Sequence, residues 1–201
     1  MLRKFLLTLL CLFISVPCLA DSSILIVGDS LSAGYGIDTQ QGWVALLRDR
    51  LQKSGYSYLV INASISGDTT SDGLARLPDG LKNYHPAIVI IELGGNDALR
   101  GIQINQTQQN ISQLITLSKN TKAKVLLLGL RLSPNFGPVY DQKFQSLYPK
   151  LAKQFHVAVV PLFLKGVDAN PLLMQDDGIH PRAQAQAVLL DNVWVVLRQL
   201  L

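Results

Sequence analysis

Five short apolar runs constrain the fold of this chain more than any other feature of its sequence. They are rich in Ile, Leu and Val and show no alternation with polar residues: Ile24 to Val27, Tyr58 to Ile61, Ala87 to Ile91, Val125 to Leu128, and Val157 to Val160. A strand without polar alternation is typical of a parallel sheet that helices cover on both faces. The runs therefore predict five buried strands.

Helical patterns separate these strands. Three of them place apolar residues on one helical face, from Trp43 to Leu51, from Phe144 to Phe155 and from Leu190 to Leu201, and a weaker fourth spans Ile111 to Ile115. Strands that alternate with helices require right-handed crossovers and a mostly parallel sheet. We therefore expect an α/β fold in which three layers, α/β/α, surround a five-stranded and mostly parallel sheet.

The first 20 residues have the pattern of a cleaved secretory signal. Arg3 and Lys4 precede an apolar core from Phe5 to Val16, and the small-residue end is Pro17 to Ala20. The apolar core is shorter than the roughly 20 residues of a membrane span, and no later segment approaches that length. We expect residues 1–20 to be a signal peptide, residues 21–201 to form one domain, and the protein to be periplasmic or secreted without stable membrane insertion. Lipidation of Cys18 is the alternative.

Cysteine usage and charge exclude several function classes. Cys11 and Cys18 both lie in the leader, so the mature chain can have no disulfide, thiol nucleophile or cysteine-based metal site. The formal net charge of +4 falls by two when Arg3 and Lys4 are removed, and no basic stripe remains for nucleic acid. The chain also lacks H-E-x-x-H, Walker A and G-x-S-x-G motifs, so we expect no metal, no cofactor and no α/β-hydrolase elbow.

Polar, glycine-containing segments follow the strands. They are Gly28 to Leu31 after the first strand, Asn62 to Thr69 after the second, Glu92 to Asp97 after the third, and Asp176 to Pro181 after the fifth. Because the carboxyl ends of parallel strands share one edge, we expect these segments to meet there and form a site.

A serine and a histidine at this edge predict nucleophilic catalysis. Ser30 needs a base to take its proton, and His180 is the candidate because His85 and His156 precede strands at the opposite edge. Asp177 is three residues before His180 and is favoured over Asp176 as the carboxylate that orients the ring. The alternative is that Ser30 and the preceding acid only cap the next helix.

Two further residues could stabilise an oxyanion. Gly67 lets a backbone N–H approach a ligand closely, and Asn96 supplies a side-chain amide on a tight turn. Each could instead do no more than shape its turn.

These segments resemble, in order and spacing, the four blocks of the SGNH (GDSL) hydrolases. The matching residues are Gly28-Asp29-Ser30-Leu31, Gly67, Gly94-Gly95-Asn96-Asp97 and Asp177-Gly178-Ile179-His180. The resemblance implies a flavodoxin-like fold, Ser30 as nucleophile, His180 as base and Asp177 as its orienting acid. It also implies that Ser30, Gly67 and Asn96 form the oxyanion hole.

Longer matching strings, at Gly28 to Tyr35, Asn62 to Thr69, Glu92 to Arg100 and Met174 to Pro181, resemble the periplasmic multifunctional members of that family. They imply hydrolysis of small acyl esters, acyl-CoA thioesters and lysophospholipids. We also expect a monomer. The alternatives are a carbohydrate O-acetyl esterase of the same fold and a non-catalytic module that binds an anion at the helix after Gly28.

The segment from Arg131 to Tyr140 is the candidate wall of an acyl-chain groove. It follows the fourth strand and carries Leu132, Phe136, Val139 and Tyr140, while Pro134, Gly137 and Pro138 are expected to prevent regular helix. These apolar side chains could instead dock the loop on the core, in which case the acyl site would lie near Leu99 to Ile104.

Overall fold

A computed structural model describes residues 22–132 and 134–201, with the exception of the side chain of Pro134. The predicted signal peptide, residues 1–20, lies outside the described residues. Five strands form one sheet in the order β2-β1-β3-β4-β5, and all four pairings are parallel. The strands are β1 (Ser22–Gly28), β2 (Tyr58–Asn62), β3 (Ile88–Glu92), β4 (Lys124–Leu128) and β5 (Ala158–Val160). The predicted five-stranded parallel sheet is confirmed.

Seven α-helices lie in the described part of the chain. They are α1 (Ser30–Ala33), α2 (Trp43–Lys53), α3 (Thr70–Tyr84), α4 (Gly95–Leu99), α5 (Ile104–Asn120), α6 (Pro138–Phe155) and α7 (Gln186–Leu197). One layer contains α2 and α7, which contact each other, and the other contains α3, α5 and α6. The predicted α/β/α layering is therefore confirmed. Among residues 22–132 and 134–201, no helix has both the length and the apolar character needed to cross a bilayer.

The register of β1 against β3 positions the site. Ile24 pairs with Ile88 and Gly28 with Glu92, so the two strands end side by side. The residues of both strands from Ile24 to Val27 and from Ile88 to Ile91 are almost completely buried, as expected for central strands. The segments that follow these strands are therefore held close together at one edge of the sheet.

One long helix, α3, did not emerge from the sequence patterns. It contains Gly73, Pro78 and Gly80, which are poor helix formers. The glycines provide close approach to the sheet: a Cβ atom on Gly73 would lie 2.3 Å from a methyl of Leu93, and one on Gly80 would lie 2.9 Å from a methyl of Leu25. A capping box between Thr69 and Asp72 begins the helix.

The expectation that Pro134, Gly137 and Pro138 exclude regular helix is wrong from Pro138 onward. A 3₁₀ turn covers Pro134–Phe136, and α6 begins at Pro138. Proline suits the first position of a helix, where its missing N–H has no partner to lose. Gly137 has a φ of 79°, which lets the chain turn into this helix.

Candidate active site

Ser30 is the first residue of α1 and follows the carboxyl end of β1. Asp29 caps this short helix, since its Oδ1 accepts a hydrogen bond of 3.1 Å from the backbone N–H of Leu31. Gly34, with a φ of 79°, ends the helix after one turn. The backbone thus presents Ser30 at the sheet edge and turns away immediately.

Ser30, His180 and Asp177 form one hydrogen-bonded chain. The Oγ of Ser30 is 2.9 Å from Nε2 of His180, and Nδ1 of the same ring is 2.6 Å from Oδ2 of Asp177. The other carboxylate oxygen of Asp177 accepts the backbone N–H groups of Ile179 at 2.9 Å and His180 at 3.0 Å. The carboxylate and the ring are therefore oriented by a single tight turn.

Asp177 is ionised at neutral pH. Its partial burial acts to raise its pKa, but hydrogen bonds from the His180 ring and from the backbone of His180 and Ile179 outweigh this effect and lower the pKa to about 2. An ionised Asp177 favours the tautomer with a proton on Nδ1. This tautomer leaves Nε2 of His180 free to accept the proton of Ser30.

The other candidate residues for base and acid lie elsewhere. Asp176 pairs with Arg182, with 2.7 Å between Oδ1 and Nη2, and its carboxylate is turned to solvent. His85 and His156 occupy left-handed positions at the carboxyl ends of α3 and α6, before β3 and β5 begin. Of the two candidate acids in this turn, Asp177 contacts the His180 ring and Asp176 does not.

Asn96 connects the segments that carry Ser30 and Gly67. Its amide nitrogen, Nδ2, donates to Oδ2 of Asp29 at 3.1 Å and to the carbonyl of Asp68 at 3.0 Å. Asp29 precedes Ser30, and Asp68 follows Gly67. Gly67 has a φ of 89°, which favours glycine at this position. The two candidate oxyanion donors are thus brought to the same part of the site as Ser30.

The buried side chain of Asp97 connects the same segments, and the sequence analysis assigned it no role. Its buried carboxylate accepts a hydrogen bond of 2.8 Å from the backbone N–H of Thr70 and another from the Thr70 hydroxyl. A third comes from Thr107 on α5 at 3.2 Å. Because Thr70 begins α3 directly after the Gly67 segment, Asp97 holds that segment against the turn that carries Asn96.

Glu92 is a second buried acid that the sequence analysis passed over. Its Oε2 accepts a hydrogen bond of 2.8 Å from Ser32, and a Cβ atom on Gly28 would lie 2.9 Å from it. Complete burial, followed by the nearby charge of Asp29, raises the pKa of Glu92 well above its usual value. Burial also raises the pKa of Asp29. The hydrogen bond from Ser32 holds the Glu92 carboxyl against the helix that Ser30 begins.

Two cavities open on this edge of the sheet. An apolar groove of about 360 Å³ is lined by Phe136 to Tyr140 and by Lys143. Within it, the rings of Phe136 and Tyr140 stack with centroids 6.0 Å apart. A larger and more polar cavity of about 660 Å³ lies beside Tyr35, whose ring packs against His180. In the part of the chain that the structure describes, no group of three or more His, Cys, Asp or Glu side chains is arranged to hold a metal ion.

Comparison with known proteins gives consistent similarities. Residues 26–188 match the profile of the GDSL-like Lipase/Acylhydrolase family. The chain is 53% identical over 182 residues to Esterase TesA of Pseudomonas aeruginosa, covering 90% of each chain. It is 48% identical over 172 residues to Thioesterase 1/protease 1/lysophospholipase L1 of Escherichia coli K12, covering 86% of this chain and 81% of that one. The crystal structure of TesA superposes with a TM-score of 0.88 at 53% identity, over 90% of this chain and 100% of that chain.

Proposed function

The chain belongs to the GDSL-like lipase/acylhydrolase family, and on that premise we propose that it is a serine hydrolase of acyl esters and thioesters. This membership confirms the family that the four sequence blocks predicted. The observation that carries the proposal is the contact of 2.9 Å between Ser30 Oγ and His180 Nε2, continued to Asp177 at 2.6 Å. The substrate class is supported by relatives named esterase and thioesterase 1/protease 1/lysophospholipase L1.

The reaction would proceed through an acyl-enzyme. Ser30 Oγ attacks the carbonyl carbon while its proton moves to His180 Nε2, and Asp177 stabilises the imidazolium that forms. His180 then gives this proton to the leaving oxygen or sulfur as its bond to the acyl carbon breaks. Water then attacks the acyl carbon while His180 Nε2 takes its proton, and His180 returns that proton to Ser30 Oγ as the bond between the acyl carbon and Oγ breaks, which releases the carboxylic acid.

Three donors are proposed for the oxyanion: the backbone N–H groups of Ser30 and Gly67 and the side-chain amide of Asn96. Asn96 Nδ2 already donates to Asp29 Oδ2 and the Asp68 carbonyl, at 3.1 and 3.0 Å. These contacts engage both N–H groups of the amide, so one of them must be exchanged for the oxyanion when substrate binds. The contact that is kept orients the amide, and an oriented donor contributes more to the rate than one that must reorient during the reaction.

The alternative of a non-catalytic anion site is not supported by the geometry. Helix α1 has four residues, and the carboxylate of Asp29 already accepts from the backbone N–H of Leu31. A bound anion would be repelled by this carboxylate whenever the carboxylate is charged.

Hydrolysis of esters and thioesters with acyl chains from acetyl to palmitoyl by the purified mature protein tests the proposed function. Activity confined to acetyl esters would favour the O-acetyl esterase alternative.

We place acyl-chain preference in the groove at Phe136 and Tyr140. The hydroxyl of Tyr140 is 3.5 Å from the carbonyl of Ile102, so this groove adjoins the Leu99 to Ile104 segment that was the alternative location. Each buried methylene contributes about 0.8 kcal/mol, so a longer acyl chain gains more from the groove. We expect Phe136→Ala to lower kcat/KM for decanoyl and longer esters by about tenfold or more and to change acetyl esters little.

The measurement for Phe136→Ala is a series of esters from two to sixteen carbons with one leaving group. Leu59→Ala is the control for the loss of an apolar side chain away from the groove, since Leu59 is exposed on the edge strand β2, whereas Phe136 is half-buried. An equal drop at every chain length would contradict the groove and favour a role for Phe136 in docking the loop.

We further propose that the protein is exported and that its leader is removed near Ala20. The basic residues Arg3 and Lys4, the apolar core and the small-residue end support this proposal. N-terminal sequencing of protein from the periplasmic fraction should give a chain that begins at about Asp21. Recovery of intact Met1 in the cytoplasm, or of a lipid on Cys18, would overturn it.

A further inference from the structure

The polar cavity beside His180 has no part in the acyl site just described. It is lined by two segments, residues 35–41 and 175–184, and shares no lining residue with the groove at Phe136. Tyr35 connects it to the reacting atoms, because its ring centroid is 4.5 Å from that of His180. Asp177, the hydrogen-bond partner of His180, lines the cavity as well. A volume of about 660 Å³ is enough for a polar group of a small ligand.

The proposed reaction requires a place for the leaving group on this side. His180 Nε2 must deliver its proton to the leaving oxygen, so that oxygen has to lie next to the His180 ring. The acyl chain remains on Ser30 and is placed in the groove at Phe136. A leaving group with a long polar end would then extend past His180, and the Tyr35 ring lies directly beside it.

The described lining residues of the cavity carry more negative than positive charge. Asp38, Asp176 and Asp177 supply three carboxylates, and Arg182 supplies the one guanidinium. The Nη2 of Arg182 is 2.7 Å from Oδ1 of Asp176, so these two charges offset each other, and Asp38 and Asp177 leave the lining with a net negative charge. A cationic group is therefore favoured in this cavity over an anionic one.

The Tyr35 ring adds a second attraction for a cation. The residue is 53% exposed, which leaves part of its ring available to a ligand. Aromatic faces attract ammonium groups through the ring quadrupole, and quaternary ammonium ligands are commonly bound in this way. Gln175 fixes the backbone at this point, since its Nε2 donates to the carbonyl of Tyr35 at 2.8 Å.

We propose that the cavity lined by Tyr35 and Asp38 is a leaving-group subsite that takes the ammonium end of a zwitterionic lysophospholipid headgroup. This inference rests on the proposed ester hydrolase function and adds to it a preference among leaving groups. A headgroup with a phosphodiester and no ammonium is disfavoured, because its net negative charge is repelled by the net negative charge of the lining.

Two lipids with one acyl chain test the charge preference. We compare 1-decanoyl-glycerophosphocholine with 1-decanoyl-glycerophosphoglycerol, both below their micelle concentrations. The cleaved ester bond and the phosphodiester are the same in the two, so their intrinsic reactivities match. We expect kcat/KM to be about three- to tenfold higher for the phosphocholine lipid at low ionic strength, mainly through KM. In 1 M salt, where screening acts within about 3 Å, the ratio should approach one.

Variants assign this preference to the cavity. Asp38 Oδ1 accepts a hydrogen bond of 2.9 Å from the backbone N–H of Gln40, and Asp38→Asn keeps an oxygen that can accept it. This variant should lower the ratio of the two kcat/KM values about twofold. Tyr35→Ala should lower it further, whereas Tyr35→Phe, which retains the ring, should preserve it. Asp79→Asn is the matched control because it removes the same charge from an exposed position on α3, and it should leave the ratio unchanged.

A ratio near one in the unaltered protein at low salt would overturn the subsite. So would a ratio that neither Asp38→Asn nor Tyr35→Ala changes, or failure to hydrolyse both lipids while 4-nitrophenyl decanoate is cleaved. Failure on all three substrates would instead overturn the proposed ester hydrolase function. The two failures are therefore distinguishable.

Discussion

Replacing Ser30 by alanine is expected to lower kcat for ester hydrolysis by about 10⁴- to 10⁶-fold. The change removes the oxygen that lies 2.9 Å from His180 Nε2, so no acyl-enzyme can form. The fold should be kept, because the side chain of Ser30 contributes no helix cap, which Asp29 provides. The measurement is the rate with a 4-nitrophenyl ester, together with circular dichroism.

Covalent labelling provides an independent measurement at the same residue. A fluorophosphonate should react with the unaltered protein, and mass spectrometry should place the label on Ser30. Ser66→Ala is the matched control, since Ser66 is an exposed serine on the segment that carries Gly67. It should keep labelling and activity within about twofold. A label on another residue, or full activity of Ser30→Ala, would rule out the proposed mechanism.

Replacing Asn96 by alanine should lower kcat by about 10²- to 10³-fold and leave KM nearly unchanged. The lost amide would act on the oxyanion, which exists only in the transition state and the intermediate. A loss of this kind therefore appears in kcat rather than in substrate affinity. The measurement is steady-state kinetics with one ester.

Asn96 also has structural contacts, so this prediction needs a control for stability. Its amide joins Asp29 to the carbonyl of Asp68, and its loss removes both hydrogen bonds. Asn110→Ala is a matched comparison, because the buried Asn110 amide donates to Thr70 Oγ1 at 2.9 Å in the neighbouring network. We expect both variants to lose stability but only Asn96→Ala to lose kcat by 100-fold or more. Equal kinetic losses in the two would favour a purely structural role for Asn96.

Local patterns were sufficient to predict the strands and most of the helices. The runs at Ile24 to Val27 and Ala87 to Ile91 belong to strands that are covered on both faces, and such strands are recognised from their apolar residues alone. Helix α3 was missed because its sequence pattern depends on distant contacts. Gly73 and Gly80 weaken helical propensity, but they let the helix pack closely against Leu93 and Leu25, which are distant in the sequence.

The residues proposed for catalysis were also found from sequence. Ser30 and His180 follow strands at one edge, and three histidines leave few candidates for a base. The preference for Asp177 over Asp176 followed from the tightness of a local turn, and the structure places Asp177 at the His180 ring. The proximity of Ser30, Asp177 and His180 was predictable because strand order and local turn geometry decide which edge of the sheet a residue reaches.

The supporting residues were decided by tertiary structure alone. In the sequence, Asp97 and Glu92 look like ordinary polar residues. Only their buried hydrogen bonds with Thr70 and Ser32 show that they support the segments of the site. Tyr35 gains its place beside His180 from contacts between segments about 140 residues apart, as in the hydrogen bond from Gln175 to its carbonyl. The sequence by itself determined the sheet, its functional edge and the candidate chemistry. The tertiary structure decided which side chains pack against that chemistry, because such packing depends on pairs of segments that no local pattern relates.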